Sequence, residues 1–257
     1  MGRTVRARIA CGTMHIRGAA GSAVQDLLEG PSQRASVLGA GPRAIYLAVG
    51  RGTPQRVLAI LTADAVRLPC AVVVNAPLPQ PGPVATVGDG AVRWDRPACV
   101  TITAARYWPP ARVRPAAPRA LALRAAIDRA DTGVADDLVR ALGRRTAAAA
   151  RALLGRGPGL TPAGDDVLAG FLLGARAYGL DAGPVRATVA ATAGAATTAL
   201  SAQLLRHALA GECVPEVLPA LERGRPAALL RVGHTSGAAL ARGLLLAAEL
   251  SERTAAA

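Results

Sequence analysis

The chain has 257 residues and is 51% hydrophobic, which excludes a disordered segment and gives enough length to bury a real core, as one large domain or two small ones. Aromatics are only 2%, so Leu, Val and Ala must build that core. The formal charge is +13, but all 30 basic residues are Arg and they are scattered; a nucleic-acid binder concentrates its charge in a stripe, so the excess reads as GC-rich codon bias and no nucleic-acid partner is expected.

Residues 1–118 hold 14 Arg against 5 acids and residues 119–257 hold 16 against 12, so the first half is the more basic and leaves room for an anionic ligand or an acidic partner. Cys11, Cys70, Cys99 and Cys213 have neither metal-ligand nor redox spacing. They read as reduced, buried thiols of a cytoplasmic protein. The three histidines, His15, His207 and His234, are too few for a multi-histidine metal site. The opening MGRTVRARIA is not followed by an apolar segment, so it is no signal peptide. No stretch of about 18 apolar residues runs without an Arg or Asp, so no membrane helix is expected.

In chain order, a short helix is expected at Ala20–Glu29. Ala44–Gly50, Arg56–Thr62 and Cys70–Asn75 read as strands. Ala85–Trp94 has a Gly-Asp-Gly turn between two β-like runs, a hairpin signal, and Cys99–Thr103 adds a strand. Such short strands with no helical pattern between them predict a strand-rich domain over 1–106, an antiparallel sheet or barrel. The Pro- and Arg-rich stretch 107–118 reads as a connector, since each Pro holds the residue before it extended. From 119 to 257 the pattern is helical. Helices are expected at 119–130, 134–143 and 144–155, then from the stretch below, then over 184–211 with a bend at Gly194. Shorter helices at 215–223 and 226–232 lead to a last one over 236–252. The fold class is therefore α+β, with a strand-rich domain followed by an α-helical one.

The stretch GRGPGLTPAGDDVLAGFLLGARA (155–177) carries the strongest functional signal. Thr161 then Pro162 reads as an N-cap and first helical residue. Gly157 and Gly159 bare the backbone before it, and bare amides at a helix start suit an anion. A tight interhelical turn with ordinary capping is the plainer alternative. Asp165 and Asp166 lie in the first turn, where negative charge suits the helix dipole. Adjacent residues point about 100° apart, so one of them is free for another task. Asp166, Gly170, Gly174 and Ala177 share a face. Each helical Gly costs about 1 kcal/mol, so something approaches that stripe closely, either a helix or a ligand.

Two later runs have related features. GHTSG (Gly233–Gly237) precedes an apolar helix, with Thr235 or Ser236 as N-cap. It is not a nucleophile elbow, so the hydroxyls and His234 are read as ligand contacts. Thr198 and Ser201 share a helix face, and Gln203 and His207 share another.

These residues carry a resemblance. GRGPGLTPAGDDVLAG (155–170) with GHTSG resembles the AllH family, a subunit of oxamate carbamoyltransferase; Ala163 stands where Ser is usual. GAGPRAIYLAVG (39–50) and RLPCAVVVN (67–75) match less closely. The resemblance implies a heteromeric enzyme of anaerobic purine (allantoin) breakdown, interconverting oxalurate and phosphate with oxamate and carbamoyl phosphate. Partner subunits are implied with it.

Carbamoyl transfer needs phosphate charge held by amides and Arg, a polarised carbonyl and close positioning. Arg156, Gly157, Gly159, Thr161, Gly164, Thr198, Ser201, His234, Thr235 and Ser236 are the expected binding residues. Asp165 and Asp166 are the expected catalytic pair: they orient the carbamoyl NH2 or, secondarily, hold Mg2+ through waters. No other cofactor is expected. The alternatives are a non-catalytic anion-binding or assembly subunit, and an Asp-pair metal-dependent hydrolase.

Overall fold

The computed structural model describes residues 14–52, 55–127 and 130–256; Cys11 and the basic opening segment lie outside them. Among the described residues eight strands close a barrel: β1 (Met14–Gly21), β2 (Gln33–Ala40), β3 (Ala44–Val49), β4 (Arg56–Thr62), β5 (Ala71–Val74), β6 (Val84–Gly88), β7 (Ala91–Trp94) and β8 (Val100–Trp108). Their order is β1-β5-β4-β3-β2-β6-β7-β8. Helix α1 (Gln25–Glu29) follows a single 3-10 turn at Ser22–Val24, so the first helix starts later than Ala20.

The expected antiparallel sheet is corrected to a mixed one. β1 runs parallel to β8 and β4 parallel to β5, while the other pairs are antiparallel. The strand that closes the barrel is MHIRGAAG, whose Gly and Ala carry little β preference, so the parallel closure leaves no mark on the local pattern. Leu47, Leu58, Ile60, Val72 and Ile102 fill the interior. β4 is apolar on both faces because Ala59 and Leu61 also pack outside, against Ala71.

The chain then forms β9 (Ala111–Arg112), α2 (Ala120–Ile127), α3 (Asp136–Leu142), α4 (Ala147–Leu153), α5 (Ala163–Ala177), α6 (Gly183–Ala196), α7 (Ala199–Leu209), β10 (Glu212–Cys213), α8 (Val217–Arg223) and α9 (Ser236–Ala255). β9 pairs with β10, and α7 lies against β3 and β4. Arg206 on α7 donates to the Gln55 carbonyl at 2.9 Å, and Leu204 packs on the barrel core. The long helical run breaks at Thr197–Thr198 and not at Gly194, which sits inside α6.

Helix α5 is the axis of the helical part: of its fifteen residues only Arg176 is not buried. The glycine stripe is explained by a helix. A Cβ on Gly170 would overlap the Leu240 carbonyl of α9, and one on Gly174 would stand 2.7 Å from the Ala247 Cβ. From the other side, a Cβ on Gly243 would strike the α5 backbone at Val167 and Phe171. The two backbones therefore touch, which fixes the position of both motif-bearing helix starts.

Candidate functional site

The two aspartates do turn to different partners. Asp165 is 1% exposed, and its carboxylate is a junction. Oδ1 accepts from the Gly155 amide at 2.8 Å. Oδ2 accepts from the Ser201 hydroxyl at 2.7 Å and from the Thr197 hydroxyl. One side chain thus ties the glycine loop to the α6–α7 break and to α7. Burial raises its pKa, and these three donors oppose the rise. Thr198 caps α7 by accepting from the Ser201 amide at 3.1 Å, and its hydroxyl donates to the Leu160 carbonyl at 2.5 Å.

Asp166 is held differently. Pro162, not Thr161, occupies the N-cap position of α5, and Thr161 makes no cap bond. Its hydroxyl meets that of Ser236 at 3.1 Å, so the two motif runs touch. Thr235 is the N-cap residue of α9 without a side-chain cap, and Ser236 is its first helical residue. The Ser236 hydroxyl hydrogen-bonds Asp166. The other side of the Asp166 carboxyl is bare: Oδ2 is buried with no partner among the described residues. Burial pushes this acid up to about 8, the Ser236 bond opposes that, and the neighbouring Asp165 charge adds to it. At neutral pH Asp166 is therefore a neutral acid with one donor and one acceptor to offer.

Asp166 borders a small cavity of about 50 Å³ that also touches His207, Glu212 and Cys213. Two of these polar neighbours are wired. Arg206 carries only donors, so at 2.7 Å it fixes the Gln203 amide oxygen toward itself. The Gln203 NH2 then donates to His207 Nε2 at 2.9 Å. His207 Nδ1–H donates to Glu212 at 2.7 Å, and the other Glu212 oxygen accepts from Arg112 at 2.6 Å. Burial lowers the His207 pKa against the pull of Glu212, so the ring is neutral with its proton on Nδ1. Burial also lifts the Cys213 thiol to about 12, which keeps it protonated. The Gln203–His207 spacing was legible in the sequence; Gly155, Thr197 and Glu212 join only through the fold.

The glycine loop differs in detail from a helix-start cradle. The Gly164 amide donates to the Arg156 carbonyl at 2.9 Å, and the Asp165 and Asp166 amides donate to Pro162. A Cβ on Gly157 would come within 2.9 Å of the Ala163 nitrogen. The chain itself thus takes up the amides of Gly164, Asp165 and Asp166, and Gly164 serves packing against the Leu153 carbonyl. The open amides run from the loop to the first helical residue: those of Gly157, Gly159, Leu160, Thr161 and Ala163 have no acceptor among the described residues. Gly155, Gly157 and Gly159 have φ of 68°, 119° and 87°, which other residues adopt at a cost. Arg156, Gly157, Gly159 and His234 are exposed along this rim.

Among the described residues, no three of His, Cys, Asp and Glu group to hold a metal. Cys70 and Cys213 are buried thiols and Cys99 is only partly buried, against the expectation that all are buried. No helix is long and apolar enough to cross a membrane among those residues.

Residues 153–248 match a family model described as oxamate carbamoyltransferase subunit AllH. The matched segment runs from the end of α4 into α9 and contains both motif runs; the barrel lies outside it. No solved structure matches the chain.

Proposed function

We propose that this chain is a subunit of a carbamoyltransferase that acts on oxamate or oxalurate with carbamoyl phosphate or phosphate, and that its motif cluster holds the carbamoyl group. The family description over residues 153–248 supports the reaction class and the heteromeric assembly. The observation that carries the site is the neutral, half-partnered Asp166 behind Ser236 and Thr161.

In the transfer, the amide nitrogen of oxamate bonds to the carbamoyl carbon. The carbon–oxygen bond to phosphate breaks, and the nitrogen's proton leaves with the phosphate as hydrogen phosphate. Charge and planar geometry are the two recognition problems. The loop amides of Gly157, Gly159 and Thr161, with Arg156, answer the first: the amides are open and Arg156 is exposed. A neutral carboxylic acid answers the second, since its O–H donates to a carbonyl while its C=O accepts from the NH2 of the same carbamoyl group. Asp165 is the positioning residue that sets the loop; Ser201 and Thr197 act through it, and Thr198 holds the loop directly at the Leu160 carbonyl. His234 and Thr235 border the same rim.

The Asp-pair metal reading fits poorly, because the two carboxylates face different partners and Asp165 already accepts three donors.

The test is phosphate release from carbamoyl phosphate and oxamate by the assembled enzyme. Asp166→Ala removes the acid's donor–acceptor pairing, which Asn would keep, and should lower kcat about 100-fold. Full activity in that variant would overturn the assignment, and activity untouched by changes at Asp166, Ser236 and Arg156 together would make the chain an assembly subunit.

A further inference from the structure

A second, separate site lies on the barrel wall. A cavity of about 750 Å³ is bordered by Arg17 on β1, Arg67 in the β4–β5 connection and Arg106 on β8. Asn75 and Trp108 complete its polar and aromatic edge, and among the described residues no acid borders it. All three arginines are exposed, and among the described residues none forms an ion pair. Asp64, close by in sequence, turns instead to the Thr62 hydroxyl at 2.6 Å.

The fold brings these groups together by a specific device. In the β1–β8 ladder Gly18 pairs with Ala104, but Ala19 pairs with Arg106, so Ala105 is an extra residue. Ala104 and Tyr107 both pack on the barrel core. The bulge at Ala105 flips the alternation between them. Without it Arg106 would point into the barrel; with it Arg106 and Trp108 share the outer face with Arg17. The Arg67 guanidinium lies over the Trp108 ring, 5.3 Å from its centroid, which holds it at the cavity edge. Other arginine-rich surface is explained locally: Arg140 and Arg253 sit in the last turns of α3 and α9, where cations suit the dipole. No helix end accounts for Arg17, Arg67 or Arg106. Three like charges around one cavity repel one another, and a bound anion relieves that.

We infer that the cavity between Arg17, Arg67 and Arg106 binds a small organic anion with two or more phosphate or carboxylate charges, at a site distinct from the Asp166 cluster. The volume is that of a small-molecule site, and the planar Arg forks match either group. Pyrophosphate and citrate are the probes, titrated separately by calorimetry at low salt so that the two chemistries are told apart. Trp108 fluorescence gives a second readout, since the only other Trp, Trp94, is 2% exposed.

One probe or both should bind saturably at one site per chain. Arg17→Ala with Arg106→Ala should weaken that binding about tenfold or more. Arg223→Ala with Arg225→Ala, which removes the same net charge elsewhere, should leave it unchanged, as should Asp166→Ala. No saturable binding, equal loss in the Arg223/Arg225 control, or loss in Asp166→Ala would each overturn the inference.

Discussion

The hydroxyls of Thr161 and Ser236 meet at 3.1 Å, joining two motif runs 75 residues apart at the starts of α5 and α9. The contact stands beside buried Asp166, so it is sheltered from competition by water. A double-mutant cycle with Thr161→Val and Ser236→Ala should return a coupling of about 0.5–1.5 kcal/mol in unfolding free energy. Additive losses would mean that the hydroxyls do not interact.

The two aspartates should separate stability from function. Asp165→Ala strands three donors in a buried place and should cost about 3 kcal/mol or more. At about 2–4 °C per kcal/mol for a chain of this size, the melting temperature should fall by at least roughly 6 °C. Asp166→Asn should change the melting temperature at pH 6 far less, because the group it replaces is already neutral there. Thermal unfolding of both variants checks the ranking; equal losses would contradict it.

Stability should fall with rising pH through Asp166. Its acid stays protonated in the fold up to about pH 8, against 3.8 for the solvated side chain of the unfolded state. Between those values the native state binds one more proton, so its contribution is fully present below 3.8 and is lost as pH rises through 8. Melting temperatures of wild type and Asp166→Asn between pH 5 and about 9 should therefore diverge, with the variant the flatter of the two. Parallel curves would place the Asp166 pKa near its ordinary value.

Glycine substitutions should divide by cause. Gly170→Ala drives a methyl into the Leu240 backbone and should prevent native packing of α5 on α9. Gly159→Ala meets nothing within 4 Å, and only its φ of 87° resists the change, at about 1 kcal/mol. Circular dichroism and melting curves distinguish a chain that fails to fold from one slightly weakened.

Local chemistry made part of this fold legible. β3, β4 and β5 announce themselves by Ile, Leu and Val runs, and the β6–β7 hairpin by Gly88-Asp89-Gly90. β1 and β2 are hidden because MHIRGAAG and QRASVLGA are poor in strand formers, and their place comes from ladder partners far along the chain. The Asp165–Asp166 pair and the Thr and Ser hydroxyls were readable from the features of a helix start. Their allocation was not: whether Thr161 caps its own helix or reaches Ser236 depends on where α9 lies. The Gly170–Gly174 stripe has the same ambiguity, since a helix and a ligand ask the same of a sequence.

The most direct measurement is the melting temperature of the purified chain with carbamoyl phosphate, compared with phosphate, oxamate and Mg2+ each alone. At 100 times its Kd a ligand adds about 2.7 kcal/mol. Carbamoyl phosphate should raise the melting temperature more than phosphate does, and Asp166→Ala should abolish that difference. An equal rise in Asp166→Ala, or no rise with carbamoyl phosphate at all, would contradict a carbamoyl site built around Asp166.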